Sequence, residues 1–198
     1  MKNPKKLYHN QGRIGIKING KQKFMTLYSF LFDDFISFLE KNSEIKQQYD
    51  KYNTIDYNND METDEEKIKS FYNLLRHKYN RNRFSNKIFH LLIINNEYVA
   101  SFYTSKELGH VKHVLQRFNY KINNFYEKIS IVLVNPKYRR LGIAYKMLNL
   151  YLTKGQQKYF LIAEKSNLPA VKLYKKLGFV EKAERILNNY NEILFIKK

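Results

Sequence analysis

From Ile129 to Val134 the chain is apolar at every position except Ser130, and the run stops at Asn135-Pro136. A segment so short and so continuously apolar reads as a strand covered on both faces. Pro136 has no N–H to give a ladder, so it ends the strand. Lys137-Tyr138-Arg139-Arg140-Leu141-Gly142-Ile143-Ala144 follows and leads into helical spacing from about Arg140 to Lys154. Strand, glycine-containing turn and helix in that order commit the chain to a sheet with helices packed on it. They also set unpaired N–H groups and the positive end of a helix dipole beside two arginines, which suits a diphosphate. Gly142 lets backbone approach a ligand, Ala144 is small, and Arg139 and Arg140 can each fork onto phosphate oxygens. The same residues also read as an ordinary strand–helix turn with one packing glycine.

The rest of the chain builds the sheet outward from this unit. Arg13 to Ile18 alternates polar and apolar, Asn19-Gly20 turns, and Lys21 to Leu27 returns, which predicts a hairpin. Leu31, Phe32, Phe35, Ile36 and Leu39 predict a helix over about 29–41, and the polar stretch Asn42–Met61 reads as a loop with room for a helical turn. Thr63-Asp64-Glu65-Glu66 has the form of a capping box and opens a second helix ending near Tyr79. Ile88–Ile94, Asn95-Asn96 and Tyr98–Tyr103 predict another hairpin. The long connection 105–128 calls for a helical piece or a flexible flap. Lys158–Ala163 reads as a strand, Leu168–Leu177 as a helix, and two strands near 180–187 and 192–197 flank Asn188-Asn189. The expected fold class is therefore mixed α/β, one sheet flanked by helices.

Composition excludes more than it assigns. The chain has no cysteine, which removes disulfides, thiolate metal sites and a cysteine nucleophile and fits a cytoplasmic protein. No run approaches the roughly 20 apolar residues of a membrane span, and the start is too polar for a signal peptide. The net charge of +18 invites a polyanionic partner, although abundant Lys, Asn, Ile, Tyr and Phe also follow from AT-rich coding. The charge is uneven. Residues 30–66 carry eleven acids and three bases, whereas 121–198 carry sixteen bases and five acids.

A second phrase makes the pattern specific: Asn167-Leu168-Pro169-Ala170-Val171-Lys172-Leu173-Tyr174-Lys175-Lys176-Leu177-Gly178-Phe179. Arg139, Gly142 and Ala144 resemble the coenzyme-binding motif of the GCN5-related N-acetyltransferase (GNAT) superfamily. Asn167, Ala170, Leu173, Tyr174, Gly178 and Phe179 resemble the motif that follows it in that family. The motif-bearing resemblance covers about residues 129–180, and the order of elements extends it to roughly 22–197. It implies a single domain over 22–198, preceded by a basic arm and first hairpin strand over 1–21, with a central, mostly antiparallel sheet splayed at the coenzyme site.

The resemblance also implies roles. The main chain of Val132, Leu133 and Val134 would pair with the pantetheine arm of acetyl-CoA. The N–H groups of Arg139, Arg140, Leu141, Gly142, Ile143 and Ala144 would hold the diphosphate. Asn167 would bond the coenzyme near its pantetheine part. Tyr174 would bind there too and act as general acid, protonating the departing thiolate; a phenol with a pKa near 10 holds its proton at neutral pH. The base is where the chain departs from family members. Ile162 stands where some carry a glutamate, leaving Glu127 and Glu164 as weak candidates, each read first as a solvated surface charge. A water relay or an amine arriving neutral would need no strong base. No metal is expected: His110 and His113 lie three apart with no third ligand nearby.

Three functions compete at this level. The first is direct transfer of an acetyl group from acetyl-CoA to a primary amine: a small cationic amine, a polyamine, or a protein or peptide amine. Asp56, Asp60, Glu62, Asp64, Glu65 and Glu66 would attract a cationic acceptor, or merely favour a helix N-terminus. The second is a nucleic-acid-associated protein with Arg76, Lys78, Arg81, Arg83 and Lys87 as a phosphate track. The third is a catalytically silent coenzyme-binding module of the same fold. A monomer and a homodimer are both compatible with the sequence.

Overall fold

Asn19 and Gly20 both take positive φ (48° and 76°), as do Asn95 and Asn96 (46° and 60°). That is the backbone of two-residue hairpin turns, in which asparagine and glycine tolerate the left-handed region. The first turn joins β1 (His9–Ile18) to β2 (Lys21–Leu31), and the second joins β3 (Lys87–Ile94) to β4 (Glu97–Ser105). The computed structural model describes residues 9–53, 87–106, 108–121, 126–155, 157–187 and 190–198. The capping box at Thr63, the acidic residues from Asp56 to Glu66 and the basic residues from Arg76 to Arg83 lie outside them.

The sheet continues with β5 (Tyr126–Val134), β6 (Lys158–Glu164), β7 (Val180–Leu187) and β8 (Tyr190–Lys197). Its order is β1-β2-β3-β4-β5-β6-β8-β7. Every neighbouring pair is antiparallel except β5 and β6. Helices α4 (Ile143–Lys154) and α5 (Leu168–Lys176) cover one face, where Met147, Leu148, Val171 and Tyr174 join Met25, Leu27, Leu92, Phe102, Leu161 and Phe195 in the main core. Helices α1 (Phe32–Lys41), α2 (Ser43–Asn53) and α3 (Leu108–Gln116) meet the residues of opposite parity on the other face. There Phe35 stacks on Phe89 with centroids 4.5 Å apart. The helical piece expected in the 105–128 connection is α3.

Over residues 42–53 the loop expected at 42–61 is corrected by α2, and the remainder of that stretch lies outside the described residues. Among the described side chains of α2 the buried apolar ones are Ile45 and Tyr49, one turn apart, which pack with Phe35 and Tyr98, while the third buried side chain, Asp50, is bonded by Lys46 Nζ at 3.1 Å. Two apolar anchors in eleven residues give almost no helical period. The helix also starts within one residue of α1, so no loop separates the two.

The second correction concerns β5. Its run is apolar, but only Ile129 among residues 129–134 is buried. Two distortions open the rest. β5 and β6 pair at Tyr126↔Lys158, Glu127↔Tyr159 and Lys128↔Phe160, and then diverge, each keeping only its outer partner. Within the β4–β5 ladder the register shifts so that Ile131 and Val132 stand opposite Phe102, a bulge with Ile131 at φ 48°. A β-branched residue there costs about 1–3 kcal/mol, which surrounding structure must over-determine. The apolar character serves an open V rather than a covered strand.

Candidate functional site

The V holds a cleft of about 530 Å³. One wall is Val132, Leu133 and Val134 of β5. The mouth is Tyr138, Arg139, Arg140, Gly142, Ile143, Ala144 and Tyr145. The far wall is Asn167, Pro169, Ala170 and Leu173 at the start of α5. The two sequence phrases, separated by a helix and a strand, therefore meet across one opening. Leu141 sits in the turn but its side chain points out to solvent, away from the lining. Tyr138, Tyr145 and Leu173 were not assigned to a site from the sequence. The spacing Asn167–Ala170–Leu173 (i, i+3, i+6) was the signal that could have identified one helical face.

The turn before α4 is built from the strand outward. Asn135, 2% exposed, accepts a bond from Lys137 N–H and donates its side-chain amide to the Tyr98 carbonyl at 2.9 Å. Pro136 then starts a short 3-10 turn ending at Tyr138, so α4 begins at Ile143 rather than near Arg140 as expected. Arg139 is extended and its Nε donates to the Val134 carbonyl at 3.1 Å. Arg140 and Gly142 are left-handed, at φ 64° and 71°. Gly142 is the N-cap of α4, with no side chain to cap the helix and no acid in its first turn. Among the described residues a Cβ built on Gly142 would meet no atom within 4 Å, so the space beside it is open, while its left-handed φ favours glycine. The N–H groups of the first helical turn have no carbonyl one turn earlier to bond. They face the cleft beside two arginines, and this donor set fits a diphosphate.

The second phrase forms a helix with both ends closed. Asn167 is the N-cap of α5, and its side-chain oxygen accepts from Ala170 N–H at 3.3 Å. At the other end Phe179 N–H bonds the Tyr174 carbonyl and Gly178 N–H the Lys175 carbonyl, both at 3.0 Å, with Gly178 at φ 84°. This is a Schellman stop, and its usual apolar contact is Phe179 against Tyr174, ring centroids 6.2 Å apart. Much of the Tyr174–Gly178–Phe179 pattern thus has a local structural cause. Tyr174 is 8% exposed, packs on Phe179 and Phe195, and is absent from the cleft lining although Leu173 before it is present. Burial pushes its phenol up to about 12.

The two carboxylate candidates separate. Glu164 is exposed and accepts from Ser166 Oγ. Glu127 is 1% exposed, which corrects its reading as a surface charge. The reason is that the closed end of the V buries it under α4, where Tyr151 OH donates to Oε1 at 2.8 Å. Among the described residues its Oε2 has no hydrogen-bond partner, and it forms an ion pair with Lys106 Nζ at 3.8 Å. Behind it Tyr151 OH is 3.5 Å from Thr104 Oγ1, which is 3.3 Å from His90 Nε2; His90 Nδ1 is 2.7 Å from Ser29 Oγ. Burial, and then the charge of Lys106, lowers the His90 imidazole to about 3. Glu127 lies outside the cleft lining. Among the described residues no cluster of three or more His, Asp or Glu could hold a metal, and no helix is long and apolar enough to cross a membrane.

Comparison with known proteins accords with this geometry. The model of the acetyltransferase (GNAT) family matches residues 45–179. The catalytic subunit NAA20 of the N-terminal acetyltransferase B complex from Arabidopsis thaliana is 38% identical over 68 residues, covering 32% of this chain and 38% of that protein. An N-alpha-acetyltransferase from Sulfurisphaera tokodaii is 31% identical over 108 residues, covering 48% of this chain and 64% of that one. The chain thus spans less than two thirds of either relative. In fold it is similar to the ribosomal-protein alpha-N acetyltransferase RimL, solved with coenzyme A, at 12% identity and a TM-score of 0.51 over 93% of this chain and 97% of that one. The open, mostly antiparallel sheet, the two strand–turn–helix units and the match over residues 45–179 place the chain in the GNAT family of acetyltransferases.

Proposed function

We propose that this chain moves an acetyl group from acetyl-CoA directly to an amine, and that the amine is the α-amino group of a polypeptide. The observation that carries the reading is the uncapped, left-handed turn at the start of α4, which opens onto a cleft whose other walls are the bulged β5 and the first turns of α5. The acceptor is inferred from the names of the two curated relatives, both N-terminal or N-alpha acetyltransferases.

Acetyl-CoA, when bound, supplies an activated carbonyl. The main chain of Val132, Leu133 and Val134 would pair with its pantetheine amides, as an added strand pairs with a sheet. The first N–H groups of α4 and the terminal nitrogens of Arg139 and Arg140 would hold the diphosphate. Asn167 already uses its side-chain oxygen as a cap, so it would offer its amide N–H₂ to the coenzyme. The amine nitrogen bonds to the carbonyl carbon as the C–S bond breaks, and the departing sulfur takes a proton from the Tyr174 hydroxyl. The proton lost by the amine goes to Glu127, directly or through water. What supports this assignment over Glu164 is the enclosed Oε2, which among the described residues has the Lys106 ion pair but no hydrogen bond, since a buried carboxylate oxygen short of hydrogen bonds is costly unless it has a use. With no cysteine in the chain, the acetyl group passes directly rather than through an acyl-cysteine.

The test is release of free thiol from acetyl-CoA with a panel of peptides of differing N-termini and with polyamines. The expected result is release that depends on a peptide, with one acetyl group on its α-nitrogen by mass spectrometry. Coenzyme binding without turnover on any amine would leave a silent binding module. Turnover on polyamines alone would move the acceptor to small cations.

A further inference from the structure

The turn at the cleft mouth hangs from the β3–β4 hairpin. Asn135 bonds that hairpin twice at 2.9 Å, its N–H to the Val99 carbonyl and its side-chain amide to the Tyr98 carbonyl. Glu97, the first residue of β4, bonds it twice more: Tyr138 OH donates to Oε2 and Lys137 Nζ to Oε1, each at 2.7 Å. Partial burial pulls the Glu97 carboxyl up, but these two bonds outweigh it, helped by the charges of Lys137 and Lys23, and hold it below the ordinary range. Tyr138 is buried and lines the cleft immediately before Arg139.

Two facts make this contact more than surface pairing. The turn has a non-glycine residue, Arg140, in the left-handed region, and its helix has no side-chain cap, so its shape must be imposed from outside. In addition, the tie is a carboxylate placed next to a turn whose proposed ligand is an anion. By charge alone that arrangement is unfavourable, because at 0.15 M salt only charges farther apart than about 8 Å are largely screened.

We propose that Glu97 is a positioning residue for donor binding: through Tyr138 and Lys137 it holds the Arg139–Ala144 turn in the shape that presents its N–H groups to a diphosphate. This rests on the donor-binding half of the proposed function. It also inverts the electrostatic expectation. Removing a negative charge beside an anion site should tighten binding if Glu97 acts only by its charge, and should weaken it if Glu97 holds the turn.

The experiment is calorimetric titration of coenzyme A into the wild type, Glu97→Ala, Tyr138→Phe, the double variant, and Glu184→Ala, which removes the same charge from β7, where Glu184 pairs with Lys165. We expect Glu97→Ala to bind about tenfold more weakly, about 1.4 kcal/mol. Tyr138→Phe, which leaves net charge alone, should also weaken binding. The double variant should be no weaker than Glu97→Ala, because the two residues share one tie. In steady state Glu97→Ala should raise the KM for acetyl-CoA and leave kcat within about twofold, the pattern of lost uniform binding. Glu184→Ala should match the wild type. Coenzyme bound as tightly as by the wild type, or more tightly, in both Glu97→Ala and Tyr138→Phe overturns the proposal while leaving the proposed function standing. A wild type that binds no coenzyme overturns both. Should Glu97→Ala fail to fold, Tyr138→Phe carries the same test alone.

Discussion

Helices α4 and α5 both leave the sheet through a short turn and both begin at the cleft, yet they end their chains of hydrogen bonds differently. α5 is self-sufficient: Asn167 caps its first turn and Pro169 removes one donor outright. α4 is not: its N-cap is Gly142, no side chain reaches its first N–H groups, and no acid sits in its first turn. Two helix starts line one cavity, and only one still has donors to give. The difference supports the α4 turn as the proposed anion site without reference to any relative. A capped helix has already spent the groups that an uncapped one presents.

The sharpest way to break the contrast is to make α4 resemble α5. Gly142→Asp puts a capping carboxylate on the N-cap, and aspartate tolerates the left-handed φ better than most residues. Affinity for coenzyme A should fall at least about 100-fold, close to 2.7 kcal/mol, while the thermal midpoint moves by only a few degrees. Calorimetry and thermal unfolding on one sample read both. Next in size is Tyr174→Phe, which leaves both helix starts intact. Turnover should drop about 10²-fold with coenzyme affinity kept, measured by thiol release and calorimetry. A rate within twofold of the wild type would assign Tyr174 to the core alone.

Smaller effects separate stability from binding. Gly178→Ala forces a left-handed residue and brings a Cβ within 2.9 Å of Lys197 Nζ, which itself bonds the Leu177 carbonyl. It should cost about 1–2 kcal/mol in urea unfolding. Asn167→Ala should cost about 1 kcal/mol through the lost cap. Asn167→Asp keeps the cap and removes the amide donor, so stability should hold while coenzyme affinity drops severalfold. Equal affinity in Asn167→Asp and wild type would reduce Asn167 to a cap.

The same contrast explains what could be read in advance. Gly142, Gly178 and the Asn-Gly and Asn-Asn turns were legible because a positive φ leaves few residue choices. The strands and the amphipathic helix around Phe35 were legible because their apolar period is strong. α2 was hidden because two buried apolar side chains do not make a period. The openness of β5 was hidden for a different reason: an apolar run has the same composition whether a neighbouring strand or a ligand is to cover it. Glu127 carried no local mark of burial, since its enclosure comes from Tyr151, a residue 24 positions away. Tyr138 and Glu97 meet only because the β3–β4 hairpin folds back onto the turn, 41 positions on. Local backbone rules were visible in the sequence; contacts made across the sheet were not.

The most direct measurement is an amide hydrogen-exchange footprint of acetyl-CoA on the wild-type protein at low ionic strength. The account predicts new protection at Gly142, Ile143 and Ala144, and none at Ala170, whose N–H is already bonded to Asn167. Protection centred on α5 with the α4 turn unchanged, or no protection at either, would contradict it.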